Sequence, residues 1–479
     1  AELLQKLDVK VSYKVAGRVT AEATIAVGVT DAASSSAYRF AGKLSSPALT
    51  LEGLTIRDLA ANMRYENGRF TLTELVGKVS PPGQENGAPG TFRGTVNAAV
   101  SPPGEVTAAL TLDRIPVGEI LKALPDLKLA GGGAASGRVT MTAPYENLSD
   151  PATWTGSGEV TSDELVVEGR TAKDVRLAAS VAKGALTVKE AKLTLEGIPV
   201  TAEATVGLTG KYPFTAAVRT TATSVADVRK LVPELKLPAP VEGAFDTETK
   251  VTGTASPLTY TATGRVDASK LTLARSTANH IELKWELTPE RLVVSDLKAE
   301  TFGGSLSGNA NVPLVPDKGG EFALQFKELD AAAATELVPD FPVKIAGKVS
   351  GKVAGTIPPS KDGQGRVGNL DVDLSAPKLT VQGIPAERLT GKAALKGGAL
   401  EYALEGKTLG GSFEINGRYP GQAQKDKEPV GKRDRGFFRL SGVDLSRLSA
   451  GLGFDALRPL RGRLDLNFDF DNDLSTGSG

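Results

Sequence analysis

Residues 281–314 read IELKWELTPERLVVSDLKAETFGGSLSGNANVPL, and this stretch contains three strand patterns in a row. In the first pattern Ile281, Leu283 and Trp285 alternate with charged residues, which gives a strand one apolar and one polar face. A turn at 288–290 separates it from the second pattern, and a glycine pair at 303–304 precedes the third. The rest of the chain repeats this module, which indicates a β repeat protein.

Two series of glycines measure the length of the repeat. One series follows the helix-like segments and consists of Gly17, Gly131, Gly243, Gly347 and Gly462. Its spacings are 131−17=114, 243−131=112, 347−243=104 and 462−347=115. The series that follows the three-strand phrase has spacings of 120, 106 and 107, and consists of Gly77, Gly197, Gly303 and Gly410. Both indicate a unit of roughly 110 residues. We predict repeats at 1–114, 115–224, 225–330 and 331–443, the start of a fifth at 444–474, and a linker-like tail at 475–479.

One short helix is expected in each repeat. Ile115–Leu124 has helical spacing and is ended by Pro125, and related phrases recur at 225–231, 331–337 and 444–452. These helices are expected to cap an edge of the sheet in each repeat, the alternative being that they bind a partner or a membrane surface. The predicted fold class is therefore mainly β: an elongated repeat protein with a curved antiparallel sheet and about one short helix per repeat.

The composition excludes several kinds of site. Among 479 residues, 56 lysines and arginines balance 56 aspartates and glutamates, so net charge gives no reason to expect nucleic-acid binding. Cysteine is absent and His280 is the single histidine, which excludes thiolate chemistry and histidine-rich metal sites. No apolar run is long enough for a transmembrane helix. Because Ala1 begins within a pattern and no signal peptide opens the chain, we expect a fragment of a longer protein.

The apolar face of such a sheet has to be covered. The helices are too few to cover it, so either a second sheet packs on it or the sheet curls into a U-shaped groove that holds something apolar. Small residues such as Ala202 and Ala204 leave room on this face, whereas a close-packed core needs larger groups. Periodicity does not separate the groove from a closed core. The residues expected to line a groove are Val200, Ala202, Ala204, Val206, Ile281, Leu283, Trp285, Leu306, Ala310, Val312, Phe322, Leu324, Phe326, Leu370, Val372, Leu464, Leu466 and Phe468.

Other candidate sites are weaker. His280 has no evident nucleophile beside it and is interpreted as a surface histidine. The acidic stretch at 469–473 lacks the glycine and the distal glutamate of a calcium loop. The glycines at 131–137 precede a strand, whereas a phosphate loop precedes a helix. Trp285 and Trp154 suit either a groove or ordinary packing. We expect no catalytic residue, no metal and no cofactor.

Residues 301–313 (TFGGSLSGNANVP) and 409–419 (LGGSFEINGRY), together with GKVSG at 347–351, resemble the AsmA-like superfamily, which includes TamB and other bacterial bridge-like lipid-transfer proteins with repeating β-grooves. The likeness covers nearly the whole chain as a pattern. It departs from the family where Gly197 lacks a second glycine and where the N-terminal membrane anchor is absent.

The resemblance implies a non-enzymatic conduit for phospholipid acyl chains in the periplasm of a diderm bacterium. It also implies an inner-membrane anchor outside this sequence and an outer-membrane protein as a partner, without nucleic acid. The alternative function is a structural or adhesive β-repeat protein, or an outer-membrane assembly factor, with a closed core.

Overall fold

The structure is a computed structural model that describes residues 15–28, 35–51, 53–80, 89–122, 130–231, 241–273, 276–315, 317–336, 344–359, 368–419, 433–447 and 461–473. The predictions for the first fourteen residues and for the tail at 475–479 lie outside these ranges. The predicted fold class is confirmed, since the described residues form a mainly β repeat protein with a curved antiparallel sheet and few short helices. Within each of the two units described below, the described strands belong to one sheet, so the two-sheet sandwich is not formed within either unit.

The strands are numbered in chain order. The first thirteen are β1 Val15–Gly17, β2 Thr20–Ala26, β3 Arg39–Leu51, β4 Leu54–Glu66, β5 Arg69–Val79, β6 Gly90–Val100, β7 Pro103–Pro116, β8 Gly131–Pro144, β9 Thr155–Val167, β10 Arg170–Ala182, β11 Ala185–Leu195, β12 Ile198–Gly207 and β13 Pro213–Ser224. The next thirteen are β14 Val241–Ala255, β15 Leu258–Leu273, β16 Ser276–Leu287, β17 Arg291–Thr301, β18 Gly304–Pro313, β19 Gly320–Asp330, β20 Ile345–Ile357, β21 Leu370–Val381, β22 Ile384–Lys396, β23 Ala399–Thr408, β24 Gly411–Tyr419, β25 Arg433–Asp444 and β26 Arg463–Asp473. The α-helices are α1 Val117–Lys122, α2 Val225–Leu231 and α3 Ala331–Thr335, and a further helical turn lies at 445–447.

By its internal contacts the chain divides into two compact units. The first comprises Ala1–Thr223, Asp227–Glu234 and Glu248–Tyr260, and the second comprises Ser224–Ala226, Leu235–Thr247 and Thr261–Gly479. Strands β14 and β15 therefore contribute residues to both units. Within each unit, consecutive strands pair antiparallel with their sequence neighbours, as β3 with β4 in the first and β21 with β22 in the second.

The helices show that the structural repeat contains six strands. A helix follows β7, β13 and β19, and the helical turn at 445–447 follows β25, so each interval is six strands (13−7, 19−13 and 25−19). The predicted repeat boundaries at 114, 224, 330 and 443 fall at the ends of these four strands. Asp330 caps α3 by accepting a hydrogen bond from the Ala333 amide (3.2 Å), and Asp444 accepts one from the Ser446 amide (2.9 Å).

A glycine near the start of the strand after each helix has a positive φ. The φ angles are 126° at Gly243, 127° at Gly347 and 130° at Gly462. A Cβ at Gly347 would lie 2.6 Å from the Lys378 carbonyl oxygen, so only glycine allows the neighbouring strand to approach this closely. The corresponding residue in the second repeat is Gly133 (φ 96°), which corrects the assignment of Gly131.

A β-bulge recurs in equivalent strands of the repeat. Asp58, Asp174, His280 and Arg388 all have φ near 50°, and their spacings are 174−58=116, 280−174=106 and 388−280=108. Each lies where the pairing register shifts, for example between Lys173 and Arg176 in β10. A bulge bends its strand and strengthens the local twist. The recurring bulges therefore bend the equivalent strand of each repeat, which is β4, β10, β16 and β22 in turn.

The residue after a bulge is usually buried. It therefore lies on the concave side of the bend, which we call the corner. Such residues include Val443, which is completely buried after Gly442, and also Leu75, Ile115, Val175, Ile281 and Leu389. In the second unit, Ala331 of α3 packs beside this corner in a cluster with Ala376, Leu379, Ala386 and Leu389. In the second unit, this cluster and the one that contains Ile281 both lie beside bends.

Candidate functional site

The apolar face of the first unit is continuous across its strands. One row of directly opposed residues crosses twelve strands, from β2 to β13, without a charged side chain. It consists of Ala23, Gly42, Met63, Leu72, Val96, Ala108, Met141, Gly156, Val181, Leu186, Val206 and Phe214. A row of this kind runs perpendicular to the strands and therefore offers an uninterrupted hydrocarbon surface.

The second unit has an equivalent row. It crosses ten strands, from β15 to β24, and consists of Gly264, Trp285, Val294, Ala310, Phe322, Gly355, Leu370, Leu395, Leu400 and Tyr419. The residues on the other side of the same strands are polar, as where Lys352, Asp373 and Lys392 face one another across β20, β21 and β22. We call the first surface the apolar face and the second the polar face of each unit.

All eighteen residues predicted to line a groove lie on the apolar face. Fifteen of them are half-buried, a level that suits side chains flanked by neighbours within the sheet but covered by nothing above it. These are Val200, Ala202, Ala204, Val206, Leu283, Trp285, Leu306, Ala310, Val312, Phe322, Leu324, Phe326, Leu370, Val372 and Leu464.

The remaining three residues differ in exposure. Ile281 follows the His280 bulge and is only 6% exposed, because it packs with Ala268 and Ala299 in the corner. It therefore belongs to the packed bend and not to the accessible surface. Leu466 and Phe468 on β26 are 43% and 57% exposed, and the Phe468 ring stacks on that of Phe470 (centroids 6.3 Å apart).

A shift in the alternation marks the bulges in the sequence, and the prediction of groove residues did not take it into account. The apolar positions move from Ala172 to Val175, and from Ala278 to Ile281, so that three residues replace the usual two. The slip puts two polar residues in succession and returns the next apolar side chain to the same face. Tracking it would have placed Ile281 in the corner.

The polar face carries exposed ion pairs. A hydrogen bond from Lys284 Nζ to Asp296 Oδ2 (2.8 Å) lowers the pKa of Asp296 and raises that of Lys284. In the connections between strands, Lys318 donates to Glu290 and lowers the pKa of that carboxyl. Because these groups are exposed, each pair adds little to stability, and the pairs chiefly keep this face solvated.

The remaining sequence candidates lie away from the apolar rows. The exposed His280 pairs with Glu300 (Nδ1 to Oε2, 2.8 Å), and Asp471 in the regular strand β26 pairs with Arg435 (3.3 Å). Trp154 donates its indole N–H to the Leu148 carbonyl (3.0 Å) and so stabilises the connection between β8 and β9. Trp285 alone of the two tryptophans lies in an apolar row. In the described ranges, no group of three or more histidine, aspartate or glutamate residues is arranged to hold a metal ion.

Concavities also lie on the polar face. One of about 1010 Å³ lies in the second unit and is lined mainly by hydroxyl, amide and charged side chains from β16 to β21, including Asn279, Glu300, Gln325 and Lys352. Smaller concavities of about 460 and 540 Å³ occupy the equivalent strands β22–β25 and β4–β7. Lysines and arginines lie among carboxylates in all three, so none concentrates one sign of charge for an ionic ligand.

Among the helices that the structure describes, none combines the length and the apolar content needed to cross a bilayer. Comparison of the chain with protein-family models, with curated proteins and with solved structures finds no significant match.

Proposed function

We propose that this chain is a non-enzymatic lipid-transfer conduit that shields the acyl chains of phospholipids, or of other acyl lipids, on its apolar face. The observation that carries the proposal is the pair of apolar rows, which cross twelve strands in one unit and ten in the other. Most of their side chains are half-buried, and no second sheet covers them within either unit. A soluble protein rarely leaves so large a contiguous apolar surface without an occupant.

An acyl chain suits this surface because it needs no polar partner. Each methylene group removed from water contributes about 0.8 kcal/mol. Bound along a row, a chain exchanges water for the side chains of successive strands, while the headgroup stays in water. Catalysis is not part of the proposal, and the Lys284–Asp296 and Arg435–Asp471 pairs of the polar face are exposed to solvent.

The compartment and partners come from the resemblance to AsmA-like proteins. On that basis we place the chain in the periplasm, with the full-length protein anchored in the inner membrane and meeting an outer-membrane protein. The lipid conduit itself does not depend on this placement and is testable with the isolated chain.

The test is native mass spectrometry after incubation with phospholipid liposomes. We expect the wild-type chain to carry several phospholipids. Leu324→Glu places a carboxylate on the apolar face between Gly308 and Val353, and it should lower the bound lipid because burying that charge is costly.

Ala323→Glu is the matched control. It changes the preceding residue of the same strand, which lies on the polar face between Asn309 and Ala354, and should leave the lipid load unchanged. Circular dichroism establishes that both variants fold. A wild-type chain that remains free of lipid, or an equal load in both variants, would contradict the proposal.

A further inference from the structure

At five glycines of the apolar face, the atom nearest to an added Cβ would belong to a large side chain directly opposite on the adjacent strand. One pair is in the first unit and four are in the second, and they are Gly77–Phe92, Gly355–Phe322, Gly391–Leu404, Gly406–Phe413 and Gly417–Tyr402. The pairing brings the smallest residue and one of the largest residues of the face together in each case.

The large side chains lie over the glycines and do not stand away from the sheet. A Cβ at Gly355 would lie 2.5 Å from Phe322 Cζ, and one at Gly391 would lie 2.5 Å from Leu404 Cδ2. At Gly406 the distance to Phe413 Cε1 would be 2.8 Å. Real Cβ atoms essentially never approach other atoms within 3.0 Å, so any other residue would force the ring or the leucine to move. Aromatic cover of a strand glycine is a known way to stabilise such pairs.

The direction of that movement matters for the space above the sheet. Side chains in strands stand roughly perpendicular to the sheet, so an upright phenylalanine would project into the space where a ligand lies. Over a glycine, the same ring covers the backbone and leaves that space free.

We propose that these five glycines set the clearance of the groove, an inference that rests on the proposed function. They allow the largest side chains to lie flat against the sheet, which leaves room above it for a layer of hydrocarbon chains across successive strands. The resulting surface, which we call the floor of the groove, consists of ring faces, methyl groups and backbone. It therefore selects flexible acyl chains by shape, whatever headgroup they carry.

Gly355→Ala tests the proposal by lifting Phe322 from the floor, and it should lower the number of phospholipids bound in native mass spectrometry. Gly158→Ala is the control, because a methyl there would meet only the Arg138 carbonyl oxygen (3.1 Å) and Val139 (3.2 Å), with no ring to displace. Adding Phe322→Ala to Gly355→Ala removes the displaced ring and should restore the lipid load. An equal loss in Gly158→Ala, or no rescue in the double variant, would overturn the inference.

A second measurement separates this inference from the proposed function. In protein labelled with 4-fluorophenylalanine, the ¹⁹F resonance of Phe322 should shift in Gly355→Ala and stay in place in Gly158→Ala. If the wild-type chain binds no lipid, the proposed conduit function is wrong, whatever the Phe322 resonance shows. An unshifted Phe322 resonance overturns the inference by itself, even where the wild-type chain binds lipid.

Discussion

The alanines of the apolar face differ in how closely they are packed. Ala135 lies opposite Ile115 in the corner and is 8% exposed. Ala204 lies in the same unit and is half-buried between Val188 and Ala216 on the adjacent strands. The two residues therefore report separately on the packed corner and on the accessible floor.

Enlarging each alanine to leucine distinguishes the two environments. We expect Ala135→Leu to destabilise the fold by about 1–3 kcal/mol, since the corner has no space for the added atoms. Ala204→Leu should change stability little, because its side chain extends over an uncovered floor. Urea denaturation of both variants gives the comparison. Equal destabilisation would mean that the floor is filled by the protein itself and that the core is closed.

At the scale of the strand, the bulge is the element that turns a flat sheet into a bent one. Asp174 holds the bulge of β10 with φ 53°, a conformation that β-branched residues avoid. We expect Asp174→Val to destabilise the first unit by about 1–3 kcal/mol. Asp174→Asn should be tolerated, because asparagine adopts this conformation readily.

Asp163→Val provides the control for this prediction. Asp163 is an exposed aspartate on the adjacent strand β9, and its φ is not among the positive values. Valine there should be neutral or slightly stabilising, since it favours strands. Thermal denaturation monitored by circular dichroism compares the three variants. Similar losses of thermal stability from both valine substitutions would show that the bulge is not the strained element.

The alternation of residues was sufficient to predict the strands, the repeat and the face on which all eighteen candidate residues lie, because period two is a local property of a strand. The bends were not predicted, because the slips in the alternation at 172–175 and 278–281 that mark two of the bulges were not followed, and the bend itself depends on which residues of two strands pair. Ile281 was assigned to the open surface for this reason. Likewise, three successive glycines at 131–133 look equivalent in sequence, and the approach of the Glu164 carbonyl selects Gly133. An uncovered floor is a property of the whole sheet, which periodicity does not report.

At the scale of the whole molecule, a repeat that contacts mainly its neighbours can be removed without losing the others. The fourth repeat suits this test, because Asp330 and Asp444 occupy equivalent positions, each ending a strand and capping the helical turn that follows. Deleting residues 331–444 joins Asp330 to Leu445 and reproduces the natural junction between strand and helix. All deleted residues belong to the second unit, so the first unit is unchanged.

We expect the shortened chain to fold, because β26 begins the fifth repeat as β20 begins the fourth and can pair with β19 in its place. If the lipid lies along the apolar rows, the number bound should fall with the number of strands, since six are lost. Native mass spectrometry of both chains, after the same exposure to liposomes, measures this difference. An unchanged number of lipids in a folded, shortened chain would mean that binding is confined to one local site and that the continuous apolar face is not the conduit.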